Sequence, residues 1–189
     1  ARNSAPRNVA ADIGRLFGEA VAKKQDTDLT ALFDGFSTAV GDGTAALTAA
    51  GVFNAASTLR AAALNLNDSA VVLHPKIAFD LKANLTNTFA NPNGGDLQNE
   101  AMRSGFVGSL AGIRIFETSN ISNTGNAGDY KGAAFHRDAL ALAEMQGLKI
   151  ETQRDASLRA DEIVATAVYG VSELNDTNGC EVEADSSIQ

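Results

Sequence analysis

Apolar residues at Val9, Ile13, Leu16, Phe17, Ala20 and Val21, resuming at Leu29, Leu32, Phe33 and Phe36, recur at intervals of three and four. That period sets them on one stripe and predicts a long amphipathic helix from Ser4 to about Phe36. Ser4 suits its N-cap, and Pro6 the first turn, where a missing N–H costs nothing. Lys23-Lys24-Gln25-Asp26-Thr27-Asp28 interrupts the stripe as a polar girdle. It is either a solvated turn of one helix or a break between two. Gly14 and Gly18, each costing about 1 kcal/mol against Ala in a helix interior, mark either close approach of another backbone or plain surface. Gly35 and then Gly41-Asp42-Gly43 predict a turn. The following stretch, Thr44 to Leu64, is Ala-rich, and Val52, Phe53, Ala56, Leu59, Ala63 and Leu64 repeat at helical intervals, giving a second helix over about residues 51–65. Asn65 to Ser69 is a turn cluster.

Ala70-Val71-Val72-Leu73 predicts a short buried strand, since β-branched side chains suit a pleated, packed surface. It runs into His74-Pro75, where the residue before proline is held extended and proline opens a helix. Lys76 to Asn84 is that helix. Asn91-Pro92-Asn93-Gly94-Gly95 reads as an exposed loop. Gly105, Gly108 and Gly112 punctuate the approach to Ile113-Arg114-Ile115-Phe116-Glu117, an alternating strand. Ser119 to Gly128 is a second polar loop, and Gly132 to Met145 an apolar stretch with few interruptions. Leu148 to Glu151 alternates. Arg154 to Glu162 is charged, and Ile163 to Val171 carries the strongest strand signal. Asn178-Gly179 turns the chain into a closing strand, Cys180-Glu181-Val182-Glu183. Helices lead and strands close, which predicts an α+β fold. No repeat of fixed period is visible.

Composition narrows the function. The chain has 189 residues, 44% of them hydrophobic and 20% charged, the balance of a globular protein. No apolar run approaches bilayer length. The opening Ala1 to Asn8 carries Arg2 and Arg7 with no apolar stretch after them, which is not the pattern of a secretory signal. Fifteen basic residues against 23 acidic ones leave a net charge of −8. Gripping nucleic-acid phosphates needs the opposite sign, so a tight nucleic-acid binder is not expected. Cys180 is the single cysteine, which rules out an intrachain disulfide and a cysteine metal cage.

Catalytic constellations are weak. His74 and His136 are far apart, and neither has a second ligand at metal spacing. His136-Arg137-Asp138 contains two members of a hydrolase triad, but no G-x-S-x-G elbow accompanies them. The glycines at 105, 108 and 112 lack the lysine of a phosphate loop and precede a strand, so tight turning is their expected purpose. Asp26-Thr27-Asp28 and Gly41-Asp42-Gly43 fall short of a calcium loop. Glycosylation sequons at Asn84, Asn120 and Asn175 read as chance without a secretion signal. No catalytic residue, cofactor or metal is expected. The feature kept is the charged run containing Arg154, Asp155, Arg159, Asp161 and Glu162. It is either a solvated edge, or an extended segment whose alternating signs pair with a neighbouring subunit. Each exposed pair contributes only about 0–1 kcal/mol, a sum that matters once repeated over a lattice.

Three stretches, in order, resemble the HK97-type major capsid proteins of tailed bacteriophages. Val71-Val72-Leu73-His74-Pro75-Lys76-Ile77-Ala78-Phe79-Asp80-Leu81 is similar to the family's strand, proline and helix after its second helix. Gly105-Phe106-Val107-Gly108-Ser109-Leu110-Ala111-Gly112-Ile113-Arg114-Ile115-Phe116-Glu117-Thr118-Ser119-Asn120 resembles its glycine-punctuated strand ending in Ser-Asn. Gly128 to Ala139, continued by Val168-Tyr169-Gly170-Val171, resembles its apolar strand and late extended arm.

The resemblance implies an HK97-like α+β fold with a peripheral (P) domain and an axial (A) domain. Residues 1–50 would hold the P domain with its spine helix, 51–144 the A domain, 145–172 the return strands of the P domain, and 173–189 the closing A-domain strand. It implies a major capsid protein that assembles with copies of itself, in hexamers and pentamers, into an icosahedral shell. That shell would enclose double-stranded DNA without tight specific binding. Decoration or cement, portal and scaffolding proteins are the other implied partners, the virion is the destination, and the host cytoplasm is the place of assembly; no membrane is involved. Family members carry an N-terminal arm and an extended loop ahead of the spine helix, and here only a few residues precede it. Two rivals stand beside this reading. One is an encapsulin-type cargo shell of the same fold; the other is a monomeric surface or carbohydrate-binding module built on the β-rich C-terminal half.

Overall fold

The computed structural model describes residues 9–41, 43–89, 109–122, 129–157 and 159–188. The expected cap at Ser4 with Pro6, the turn residue Asp42, the Asn91–Gly95 loop, Gly105 and Gly108, and most of the later polar loop lie outside them. Helix α1 spans Val9–Thr30 without interruption. The polar girdle is therefore a solvated turn of one helix. It is held by i,i+4 pairing of Lys24 with Asp28 and by Thr27 Oγ1 donating to the Lys23 carbonyl at 2.8 Å. Ile13, Phe17 and Val21 are half-buried on one stripe, whereas Leu16 and Ala20 lie off it and are exposed. A Cβ added at Gly14 or Gly18 would meet nothing within 4 Å, so among the described residues no other backbone packs on them. A 3₁₀ turn, Ala31–Gly35, tightens the end of the helix and buries Phe33, so the helix stops short of the expected Phe36.

Helix α2, Ala49–Ala61, begins two residues before the expected start. Its first amide, on Ala49, donates to Asn84 Oδ1 at 3.4 Å, a partner far along the sequence that no local pattern announces. Strand β1 is the two-residue Ala39–Val40, which periodicity did not predict. Strand β2, Ser69–Leu73, alternates buried and half-buried positions. The next residue, His74, accepts the Ala78 amide at 3.0 Å, and α3 starts on Pro75 and runs to Phe89, so proline opens the helix as expected. Strands β3, Ser109–Leu110, and β4, Ile113–Glu117, pair through a two-residue turn. Ala111 and Gly112 both sit in the left-handed region there, at φ 57° and 86°. Two positive-φ residues are what a tight hairpin requires, which confirms Gly112 as a turning residue.

Strand β5 covers Asp129–His136, β6 Leu140–Asp155, β7 Ala160–Glu173 and β8 Gly179–Asp185. The apolar stretch from Gly132 to Met145 is thus two strands. Arg137-Asp138-Ala139 makes the break, and the two halves belong to different sheets. One sheet has six strands in the order β1-β8-β5-β2-β4-β3. The β1/β8 and β2/β4 pairs are parallel, and the β2/β5, β5/β8 and β3/β4 pairs antiparallel. The other, among the described residues, is a ribbon of β6 and β7.

One face of the large sheet carries Val71, Leu73, Ile113, Ile115, Ala134, Cys180 and Val182 into a core with Val52, Leu59, Ile77 and Leu81 from α2 and α3. Each fully buried aliphatic side chain here contributes about 1.5–3 kcal/mol. The opposite face is covered by a smaller cluster in which Phe33 and Phe36 pack on Ala133 and Phe135. A Cβ on Gly132, in the middle of β5, would stand 2.5 Å from the Val72 carbonyl, so this central strand admits no side chain there. After β8, buried Asp80 on α3 accepts the Ser187 amide at 2.9 Å and the Ser187 hydroxyl, which ties the closing segment to α3.

Candidate assembly surface

The ribbon lies along α1. On β7 the positions Ile163, Ala165, Ala167, Tyr169, Val171 and Glu173 are half-buried, while Val164, Thr166, Val168, Gly170 and Ser172 are exposed. That is the period of a strand with one covered face. The contact is pinned where the Tyr169 hydroxyl donates to Asp28 Oδ2 at 2.8 Å. Lys24, first, and Tyr169, second, hold the Asp28 carboxyl below its ordinary range by hydrogen bonding to its charged form. At its base the ribbon is joined to the body where the Leu174 amide donates to the Ala139 carbonyl at 2.8 Å. Nearby, Asp176 accepts the Ser37 amide at 2.7 Å and the Ser37 hydroxyl, and these two hydrogen bonds lower its pKa.

The charged run occupies the far end of the ribbon. It is not one extended segment, because the chain reverses within it. Arg154 on β6 stands opposite Asp161 on β7, Asp155 opposite Ala160, and Gln153 opposite Glu162. Asp155 Oδ1 accepts the Ser157 amide at 2.8 Å and its hydroxyl at 2.6 Å, a local turn built by the aspartate side chain. Arg159 takes φ 51°, the left-handed conformation that L-residues rarely adopt. The five residues singled out from sequence are therefore brought together at a hairpin tip, with Arg154, Arg159, Asp161 and Glu162 exposed and Asp155 half-buried.

The histidines do not come together. His74 stacks flat on Tyr130, with ring centroids 3.7 Å apart and planes 3° from parallel, and its Nδ1 accepts the Lys76 amide at 3.3 Å. Burial, and then the Lys76 charge, lower its pKa. His136 is buried in the β5–β6 corner, where Nδ1 accepts the Asp138 amide at 3.3 Å. Cys180 is buried among the core residues of β8, and burial pushes its thiol up to about 11. Of the sequon residues, Asn84 caps α2 and Asn120 donates to Asp26 on α1 at 3.3 Å. Among the described residues no group of three or more His, Cys, Asp or Glu could hold a metal ion, and no helix is long and apolar enough to cross a membrane.

One charged group escaped the sequence reading. Lys131 on β5 reaches from the sheet to Asp34 in the 3₁₀ turn and to Glu181 Oε1 on β8, 2.8 Å away. Asp34 and then Glu181 raise the lysine pKa. Glu181 is 6% exposed, and its Oε1 lies off the direction a hydrogen bond needs, so the ion pair is its compensation. Two positions on separate strands and one in a turn carry no shared sequence signal.

A long helix bearing a two-stranded ribbon, joined to a mixed sheet backed by two helices, is the α+β fold of HK97-type capsid shells. Solved structures bear this out. The chain superposes on a protein of Mycobacterium phage Che8 with a TM-score of 0.72 at 24% identity, over 90% of this chain and 61% of that one. It matches the capsid of cyanophage P-SCSP1u with a TM-score of 0.74 at 17% identity, over 98% of this chain and 68% of that one. The SrpI encapsulin complex of Synechococcus elongatus PCC 7942 gives 0.70 at 14% identity, over 98% and 69%. The chain thus spans about three-fifths of the length of the Che8 protein. None of the curated proteins matches it. A family described as phage capsid protein matches residues 1–179. The chain belongs to that family.

Proposed function

We propose that this protein is the major capsid subunit of a tailed phage and works mechanically, without catalysis, by tiling with copies of itself into an icosahedral shell around double-stranded DNA. The family match over residues 1–179 carries the reading. In it, α1 is the spine helix of a P domain that the β6–β7 ribbon rejoins, and the six-stranded sheet with α2 and α3 is the A domain. The ribbon begins at Leu140, a few residues before the return expected from sequence. Repeated modest contacts in closed symmetry then give a stable shell.

The hairpin tip serves as one such contact. Arg154, Arg159, Asp161 and Glu162 meet a neighbour's charges there, while Asp155 shapes the turn. The net charge of −8 suits a container that holds DNA without binding its phosphates. Hexamers and pentamers are the expected rings. Portal, scaffolding and decoration proteins are the expected partners, with assembly in the host cytoplasm and residence in the virion. Electron microscopy of the purified full-length protein tests the reading: closed particles tens of nanometres across are expected, and a well-behaved monomer overturns it. The likeness to an encapsulin complex supports a second reading, a cargo shell of the same fold. Nucleic acid inside the particles selects the phage shell, and an enclosed enzyme selects the cargo shell.

A further inference from the structure

We infer that His74 is a one-proton switch on the corner between β2 and α3: neutral, its ring caps the helix; protonated, it releases the cap and frees the first helical turn. The inference lies outside the shell reading and does not depend on it. His74 holds the N-cap position of α3. Its carbonyl accepts the Ala78 amide at 3.0 Å. Its Nδ1 accepts the Lys76 amide at 3.3 Å, one of the donors that a helix start leaves without an intrahelical partner. Serine, threonine, asparagine and aspartate are the usual residues at such a cap, and none of them changes charge between about pH 5 and 8. Histidine does.

The geometry admits one neutral form. A ring nitrogen that accepts a hydrogen bond carries no proton, so the imidazole proton sits on Nε2. A second proton would put an N–H on Nδ1 facing the Lys76 N–H, and the cap opens. The ring lies flat on Tyr130, with centroids 3.7 Å apart, so turning it to relieve that clash breaks the stack. A positive charge there also meets the positive end of the α3 dipole and the Lys76 ammonium, which stands 5.8 Å from the Tyr130 ring centre. His74 is half-buried, so protons from solvent reach it. His136 differs. Its Nδ1 likewise accepts an amide two residues on, but Asp138 Oδ2 lies 3.4 Å from that nitrogen and can accept the N–H that protonation adds.

The surroundings keep acids off this ring. From α3 the group that acts on it is Lys76, after burial itself. From β5 it is Tyr130; the flanking Asp129 and Lys131 point to the opposite face of the sheet, where Lys131 meets Asp34 and Glu181. Ala184 on β8 stands opposite Tyr130, and its neighbours Glu183 and Asp185 alternate away in the same manner. Glu117 on β4 is paired with Lys82 at 2.5 Å. The corner is anchored on both sides of the switch: the Leu73 carbonyl accepts the Thr118 amide at 3.0 Å, and Ile77 and Ala78 lie in the main core. Those anchors confine the opening to the first turn of α3.

The test is hydrogen–deuterium exchange of the full-length protein, read by peptide mass spectrometry from about pH 7.5 down to 4.5 and corrected for the intrinsic pH dependence of exchange. Exchange in the first turn of α3 is expected to rise about fivefold, as loss of a cap does, with a midpoint below the ordinary histidine value of about 6.5. Peptides from α2 should hold steady over the same range. His74→Asn supplies an oxygen cap that does not titrate, and is expected to keep the slow rate throughout. A flat wild-type profile overturns the inference, and so does the same rise in a folded His74→Asn. Nitrogen NMR of histidine-labelled wild-type subunits tests it without any variant. At neutral pH the imidazole in contact with the Tyr130 ring should carry its proton on Nε2. A proton on Nδ1 there overturns the switch.

Discussion

Replacing Lys131 with methionine removes a cation but keeps most of the side-chain volume. It leaves Glu181, buried on β8, as an ionised group with no compensating charge. Breaking one partner of a buried pair costs about 3–5 kcal/mol, because the survivor stays desolvated. Two features lower that figure here. The lysine side chain is itself a quarter exposed, and its other partner, Asp34, is 69% exposed, so the Asp34 pair adds little. The expected loss is therefore about 2–3 kcal/mol, which in a chain of this size lowers the melting midpoint by roughly 5–10 °C.

Urea denaturation of dissociated subunits, followed by circular dichroism, measures it. The double variant Lys131→Met/Glu181→Leu is expected to recover to within about 1 kcal/mol of wild type, since it removes the stranded charge as well. If the single variant is as stable as wild type, or the double variant is no better than the single, the buried-charge argument fails. The raised lysine pKa adds a pH signature. Its stabilisation is complete below the ordinary lysine pKa and is lost only as pH rises through the higher folded-state value. The wild-type advantage over Lys131→Met should therefore be flat through neutral pH and shrink only in strong alkali.

Other expectations follow from the same structure. Leu59→Ala opens a cavity in the main core, where Leu59 is fully buried, and should cost about 3–5 kcal/mol in the same assay. His74, held neutral by burial, contributes stability that is complete above the ordinary histidine pKa and is lost as pH falls through the lowered folded value. His74→Gln should flatten that acid-side decline in a pH series of thermal melts. Cys180, its thiol buried and raised to about 11, should resist a thiol reagent such as dithionitrobenzoate at neutral pH until denaturant is added. Prompt labelling of the native protein would contradict its placement in the core.

Local pattern was enough for the elements whose cause is local. The three- and four-residue spacing along α1, the proline opening α3, the glycine in the β3–β4 turn and the β-branched strand signal of β7 all act within a few residues. All four were legible in the sequence. Order and spacing of three motifs likewise pointed to the capsid fold. The polar girdle stayed ambiguous because a solvated helical turn and a helix break share one composition; Lys24–Asp28 pairing and the Tyr169–Asp28 bond decide for the turn.

What lay beyond the sequence depends on which strand lies beside which. The apolar stretch from Gly132 to Met145 shows no boundary in its pattern, yet the Arg137–Ala139 corner sends its halves to different sheets. Arg154 to Glu162 reads as an extended run until the hairpin folds it on itself. Strand β1 is two residues long and exists because β8 pairs with it. Asn84 caps a helix thirty-five residues away, and Lys131 meets Asp34 and Glu181 only through sheet register and the packing of the 3₁₀ turn. Periodicity records which face of an element avoids water. It carries no record of what covers that face, and that choice belongs to the tertiary structure.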